Sequence, residues 1–162
     1  MRDWQGNPLV ADTSFSLIYK DSRLLFHFQC AQKATYDPQA RDNLWKMDVA
    51  ELFIKDEKGE GYIEVNLAPG GAFWWARFKG PRQLVEENGP WPGVTTKARL
   101  YEDSWSVELS LPIELREGRR VNVNAIINHE GSEQYLSWTK LSPAQPDFHR
   151  PQEFLPALFV EI

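Results

Sequence analysis

The sequence predicts an all-β protein: an antiparallel two-sheet β-sandwich of jelly-roll or immunoglobulin-like type, with about ten strands. Apolar and polar residues alternate with a period of two along much of the chain, and no stretch keeps a helical period beyond a turn or two. The alternating stretches are short and are punctuated by Gly, Pro and charged pairs of the kind that close hairpins. Nothing marks a linker, an internal repeat or a low-complexity tract, so residues 1–162 are read as one domain.

In chain order, "FSLIYK" (15–20) and "RLLFHFQC" (23–30) are strands joined by a tight turn at Lys20-Asp21-Ser22. "VAELFIK" (49–55) and "YIEVNL" (62–67) flank "DEKGEG", a turn rich in charge and Gly, and "AFWWARF" (72–78) follows a Pro-Gly break. "TTKARLY" (95–101) and "SWSVELSL" (104–111) meet at Glu102-Asp103. "SLPIELREG" allows one short helical turn between Pro112 and Gly118. "RVNVNAIINH" (120–129), "QYLSWT" (134–139) and "ALFVEI" (157–162) complete the strands. The segments 31–48, 79–94 and 140–156 hold most of the prolines and are read as ordered loops.

Sorting the strands by phase gives each a core face and a second face. Leu24, Phe26, Phe28 and Cys30 share one face; so do Trp105, Val107, Leu109 and Leu111, and Val121, Val123, Ala125 and Ile127. The opposite phases carry His27, Gln29, Tyr62, Glu64, Asn66, Asn122 and Asn124, with Glu51 between Val49 and Phe53. That is not the Lys/Glu/Thr mixture of a plain solvated sheet. Trp74 and Trp75 are adjacent and point to opposite faces. Trp75 shares its phase with Arg77 and is assigned to the polar face, with Trp74, Ala76 and Phe78 opposite. The alternative has both faces covered, one by the other sheet and one by a long loop, which makes both indoles core.

Bulk properties narrow the function. A net charge of -5 and a pI near 5.2 disfavour nucleic acid and anionic membranes as partners, since both call for clustered Lys and Arg. No apolar run approaches the roughly 20 residues needed to span a bilayer. The N-terminal residues lack a signal-peptide apolar core, which fits a cytoplasmic protein or a secreted or periplasmic one after processing. Cys30, on an apolar phase, reads as a buried inert thiol, and with one cysteine there is no internal disulfide. Seven tryptophans are the outlier: they suit a large core, or flat stacking surfaces.

Four stretches in order, "LWKMDVAELFI" (44–54), "YIEVNLAPGGAFWWARF" (62–78), "WSVELSLPIEL" (105–115) and the segment from Val121 through Trp138 and "FHRPQEF" to the last strand, resemble the family-9 carbohydrate-binding modules of the DOMON-like β-sandwich group. The resemblance covers nearly the whole chain and rests on order and spacing. It implies a β-sandwich that binds sugars without catalysing a reaction.

A sugar offers apolar C–H faces and hydroxyl edges, which call for flat aromatics and planar polar groups. The candidate stackers are Trp45, Trp75, Trp91 and Trp138; the candidate polar contacts are Glu51, Asn66, Arg77, Asn124, His27 and His149. Each has a structural reading beside it: loop plugs or anchors for the tryptophans, a cross-strand ion pair for Glu51 and Arg77, a turn residue for Asn66, a solvent-facing amide for Asn124 and a loop-fixing imidazole for His149. Some DOMON-like relatives hold haem between a Met and a His, and Met47 and His149 are formally available. Asp42, Asp48 and Asp147 are loop carboxylates of the kind that bind Ca²⁺, without EF-hand spacing. No cofactor or metal is expected. The rival functions are a protein-interaction sandwich, a haem-binding DOMON-like domain and a glycoside-active enzyme; for the last, Glu51 and Glu64 on neighbouring strands are the available acid pair, and no nucleophile elbow, P-loop or HExxH motif appears.

Overall fold

The computed structural model of the protein describes residues 1–8 and 12–157. Its strands are β1 (Arg2–Asp3), β2 (Thr13–Lys20), β3 (Arg23–Cys30), β4 (Val49–Lys55), β5 (Tyr62–Leu67), β6 (Phe73–Phe78), β7 (Leu84–Glu87), β8 (Thr95–Leu100), β9 (Trp105–Pro112), β10 (Arg120–His129), β11 (Ser132–Ser137) and β12 (Leu155–Pro156). Short 3-10 turns occupy Leu44–Lys46 and Pro151–Glu153. The predicted last strand lies outside the described residues except for Ala157.

All pairings among the described residues are antiparallel, in two sheets. The large sheet runs β1-β11-β10-β4-β5-β6-β7, with β12 pairing the first residues of β10 beyond the reach of β11. The small sheet runs β2-β3-β9-β8. The predicted Asp21-Ser22 turn is a two-residue hairpin with both residues at positive φ, which matches the right-handed twist of the flanking strands. Glu130 and Gly131 close the β10–β11 hairpin in the same way, and there Gly supplies one of the left-handed positions without a Cβ penalty.

The core between the sheets is the apolar phase of the sequence. Leu24, Phe26, Phe28 and Cys30 of β3 and Trp105, Val107, Leu109 and Leu111 of β9 pack against Leu52, Ile54, Val65, Val121, Val123 and Ala125 of the large sheet. Burial pushes the Cys30 thiol up to about 12, so it is an inert packing residue.

The outer face of the large sheet is covered too. Segments 31–48 and 140–154 fold across it and build a second apolar cluster from Leu44, Val49, Phe53, Trp74, Phe78, Ile126, Leu141, Phe148 and Phe154. Asp48 ties the first of these segments down: its carboxylate accepts hydrogen bonds from the backbone N–H of Thr35 (2.9 Å) and from the backbone and side-chain N–H groups of Asn128 (2.7 and 3.2 Å). Gly70 permits the close packing of Tyr36 here, since a Cβ would lie 2.6 Å from that ring. Two covered faces make both adjacent indoles core: Trp74 is 5% exposed and Trp75 7%.

Candidate functional site

Strand register decides what the outer face of the large sheet presents. Asn124 of β10 is opposite Ser137 of β11 and Glu51 of β4; Glu51 is opposite Asn66 of β5; Asn66 is opposite Trp74 of β6. The adjacent row holds Asn122, Phe53, Glu64 and Ala76. Glu51 and Glu64 are therefore diagonal neighbours, with Cα atoms roughly 7–8 Å apart.

Where the two covering segments leave this face open, a cavity of about 330 Å³ remains. Its floor includes Glu51, Phe53 and Glu64; Trp74 and Phe78 line one side, Ile126 and Tyr135 another, and Trp45, Arg82, Pro146, Asp147, Phe148 and His149 come from the loops. Trp45 rides on the 3-10 turn and meets Trp74 edge to face, ring centres 5.6 Å apart. It is 39% exposed, so an indole is left open at the cavity.

The polar floor is partly satisfied from within. Asn122 donates to Asn124 Oδ1 (2.9 Å) and Ser137 Oγ (3.0 Å), and Asn66 donates to Glu64 Oε1 (3.0 Å). Asn66 Oδ1 and Asn124 Nδ2 are buried without partners among the described residues. Glu51 is 3% exposed and has no hydrogen-bond partner among them either. Burial, together with the nearby Glu64, raises the Glu51 carboxyl well above the usual range; burial pushes Glu64 up to about 7, against the lowering effects of the Asn66 hydrogen bond and Arg82. The pair is stabilised with a proton on it.

His149 closes one end. Its ring packs on Phe53, Tyr62 and Phe78, and Nδ1 lies 2.6 Å from the Tyr62 hydroxyl, which itself accepts the Arg82 backbone N–H at 3.2 Å. Burial, and secondarily Arg82, lowers His149 to about 4, so the imidazole is neutral near pH 7. Its Nε2 lies 3.8 Å from Glu64 Oε2. That contact is a dipole facing a carboxyl group, not an ion pair. Arg82 is paired with Asp147 at 2.8 Å.

Among the predicted contacts, Trp45, Glu51 and His149 line this cavity, while Asn66 and Asn124 flank Glu51 beneath it. Five others lie elsewhere. Trp75 is in the inter-sheet core, its indole N–H donating to Gly89 O at 2.9 Å; the assignment of Trp75 to the polar face is corrected, because Trp75 is opposite Val65 and Trp74 is opposite Asn66. Arg77 follows Trp75 in phase, so it too leaves the polar face and lies exposed near Asp56 and opposite Glu86. Trp91 is not an open loop ring: it packs edge to face on Trp75 and donates to Pro112 O. Trp138, 40% exposed, rests on Phe15 at the side of the sandwich. His27 lies on the outer face of the small sheet, in a separate cavity.

The loop acids are also separated. Asp48 and Asp42 line a cavity beside Met47, and Asp147 lines the one that holds His149, so Met47 and His149 are not brought to a common site. Among the described residues no group of three His, Cys, Asp or Glu side chains is placed to hold a metal. Sequence reasoning does not name Trp74, Glu64, Arg82, Tyr135, Asp147 or Phe148 as sugar contacts, although it places Glu64 on the polar face as the acid partner of Glu51 and offers Asp147 as a loop carboxylate. Glu64 was within reach, since it shares the phase of Asn66; the loop residues carried no local signal.

Comparison with solved structures gives a protein from Bacteroides uniformis, proposed to bind carbohydrate, at a TM-score of 0.75 and 17% identity, covering 96% of this chain and 82% of that one. A family-9 carbohydrate-binding module from Caldicellulosiruptor kristjanssonii in complex with cellotriose follows at a TM-score of 0.59 and 11% identity, covering 81% of this chain and 67% of the module. This chain has the family-9 module fold. A family-9 module from the same organism in complex with glucose matches at 0.52 and 12% identity, over 85% and 73% of the two chains. In sequence, the family-9-like sandwich is 27% identical over 125 residues to the UPF0462 protein C4orf33 homolog of Rattus norvegicus and 26% to that of Mus musculus. Those alignments take in 72% of this chain and 61% and 63% of the relatives, so the chain spans less than two thirds of their length. No family model matches the chain. No helix among the described residues is long and apolar enough to cross a membrane.

Proposed function

We propose that this protein binds a carbohydrate, without catalysing a reaction on it, in the cavity on the outer face of the large sheet. The observation that carries the reading is the exposed Trp45 indole beside the Glu51 and Glu64 carboxyl groups of the cavity floor. An indole covers the C–H face of a sugar ring, and the floor groups take hydroxyls. The volume falls in the roughly 300–1,000 Å³ range of small-molecule sites. The solved family-9 modules with cellotriose and glucose support the sugar class by fold analogy.

Binding without turnover is supported by the likeness in fold to solved carbohydrate-binding modules. Glycoside hydrolysis uses two carboxyl groups flanking the scissile bond. Glu51 and Glu64 stand on adjacent strands of one floor, so the sugar titration is also read for cleavage. The reading requires no metal or cofactor.

Calorimetric titration with glucose and cello-oligosaccharides tests it. Trp45→Ala is expected to weaken binding by about 2 kcal/mol or more, roughly 30-fold in Kd, while the fold is kept. Unchanged affinity in Trp45→Ala, or heat release that continues with sugar cleavage, would contradict the reading.

A further inference from the structure

The lining of the cavity carries an excess of acid that neutral sugars do not offset. Three carboxyl side chains, Glu51, Glu64 and Asp147, face a single guanidinium, Arg82, and that guanidinium is already paired with Asp147. His149 adds no charge, since burial keeps its imidazole neutral near pH 7. Glu51 stands out: it is nine-tenths buried and more, it lines the cavity, and it has no hydrogen-bond partner among the described residues. Beside it, the buried Asn66 Oδ1 is also unpaired. Around this acid end stand the rings of Trp45, Trp74 and Tyr135. Carboxyl groups lined by aromatic rings form surroundings that favour an ammonium group, through direct charge pairing and through the ring quadrupole.

We propose that the cavity selects a sugar bearing a primary ammonium group, with the ammonium against Glu51 and Glu64 and the ring against Trp45. This rests on the reading of the cavity as a carbohydrate site and narrows it to the amino sugars. A hydroxyl donates one hydrogen bond and leaves the pair short of charge; an ammonium donates three and neutralises one carboxylate. The empty pair retains a proton because two carboxyl groups buried together do not both ionise. Arrival of the ammonium removes that constraint, so binding expels the proton to solvent. The other groups around the pair do not take it up. Tyr135 donates to Glu133 and is held near 12; Tyr62 is raised to about 12 by burial; His149 is neutral; Arg82 remains on Asp147.

The test compares D-glucosamine, D-glucose and N-acetyl-D-glucosamine by calorimetry near neutral pH, in two buffers of different ionisation enthalpy. Glucosamine is expected to bind at least about tenfold more tightly than the two uncharged sugars, with proton release that they lack. Glu51→Gln, checked for native fold by circular dichroism, is expected to bring glucosamine down to the level of glucose; Glu64→Gln serves as the second variant. Glucose and glucosamine binding within twofold of each other, or glucosamine binding without proton release, overturns the amino-sugar proposal and leaves the carbohydrate reading standing. Absence of binding by all three, with cello-oligosaccharides also silent, overturns both.

Discussion

The adjacent indoles show how one residue of phase decides a role. Trp75 sits between the sheets with its N–H satisfied by Gly89, and Trp74 sits on the opposite face under Trp45. Trp75→Ala leaves a large hole in a close-packed core and is expected to cost roughly 3–5 kcal/mol in urea unfolding. Trp45→Ala is expected to cost about 1 kcal/mol or less, since that ring is already open to solvent. The site acids and His149 make opposite pH predictions. An acid whose folded pKa lies above its unfolded one binds more protons folded than unfolded, so stability falls as pH rises between the two. For Glu64 that window runs from 4.5 to about 7. His149, lowered from 6.5 to about 4, binds fewer protons folded, so its contribution is present above 6.5 and is lost as pH falls through that range. Urea midpoints measured from pH 4 to 7 should show Glu64→Gln reducing the fall in stability as pH rises, and His149→Gln reducing the opposing loss as pH falls.

At the scale of elements, the strands that alternate cleanly were legible and the ones that do not were not. β3, β4, β5 and β10 have the bounds that their period-two patterns predict, because both of their faces have a defined environment. β7, "LVEE", is exposed along its whole length at the sheet edge and has no alternation to read. β6 lies next to that edge. There an apolar set (Trp74, Ala76, Phe78) occupies the outer face because loops cover it, and Arg77, on the inner phase, is exposed and contacts Asp56 in the β4–β5 turn. Apolar character alone therefore pointed to the wrong side, and only the pairing with Val65 and Asn66 fixes the phase. The covering loops depend on contacts far apart in sequence. Asp48 is the clearest anchor: Asp48→Ala leaves the Thr35 and Asn128 donors unsatisfied and is expected to cost on the order of 2–3 kcal/mol. Hydrogen exchange should then quicken across 31–48 before it does in the strands.

For the whole molecule, the sandwich separates two jobs. The space between the sheets carries the stability, and the outer face of the large sheet carries polar groups that stability alone does not call for. The polar row Asn124, Glu51, Asn66 was readable from alternation before any contact was known. The convergence of Trp45, Arg82, Asp147 and His149 onto that row was not, because three separate loops deliver them. The central claim is that this face is where ligand sits. The most direct measurement is a two-dimensional NMR titration of the labelled protein with glucosamine and cello-oligosaccharides, following the tryptophan indole N–H signals and the backbone amides of β4 and β10. The account predicts that the Trp45 indole and the amides of Glu51 and Asn124 shift with ligand while the Trp75, Trp91 and Trp138 indoles stay in place. Shifts confined to Trp138 or to the outer face of the small sheet, with Trp45 unmoved at saturating sugar, would contradict it.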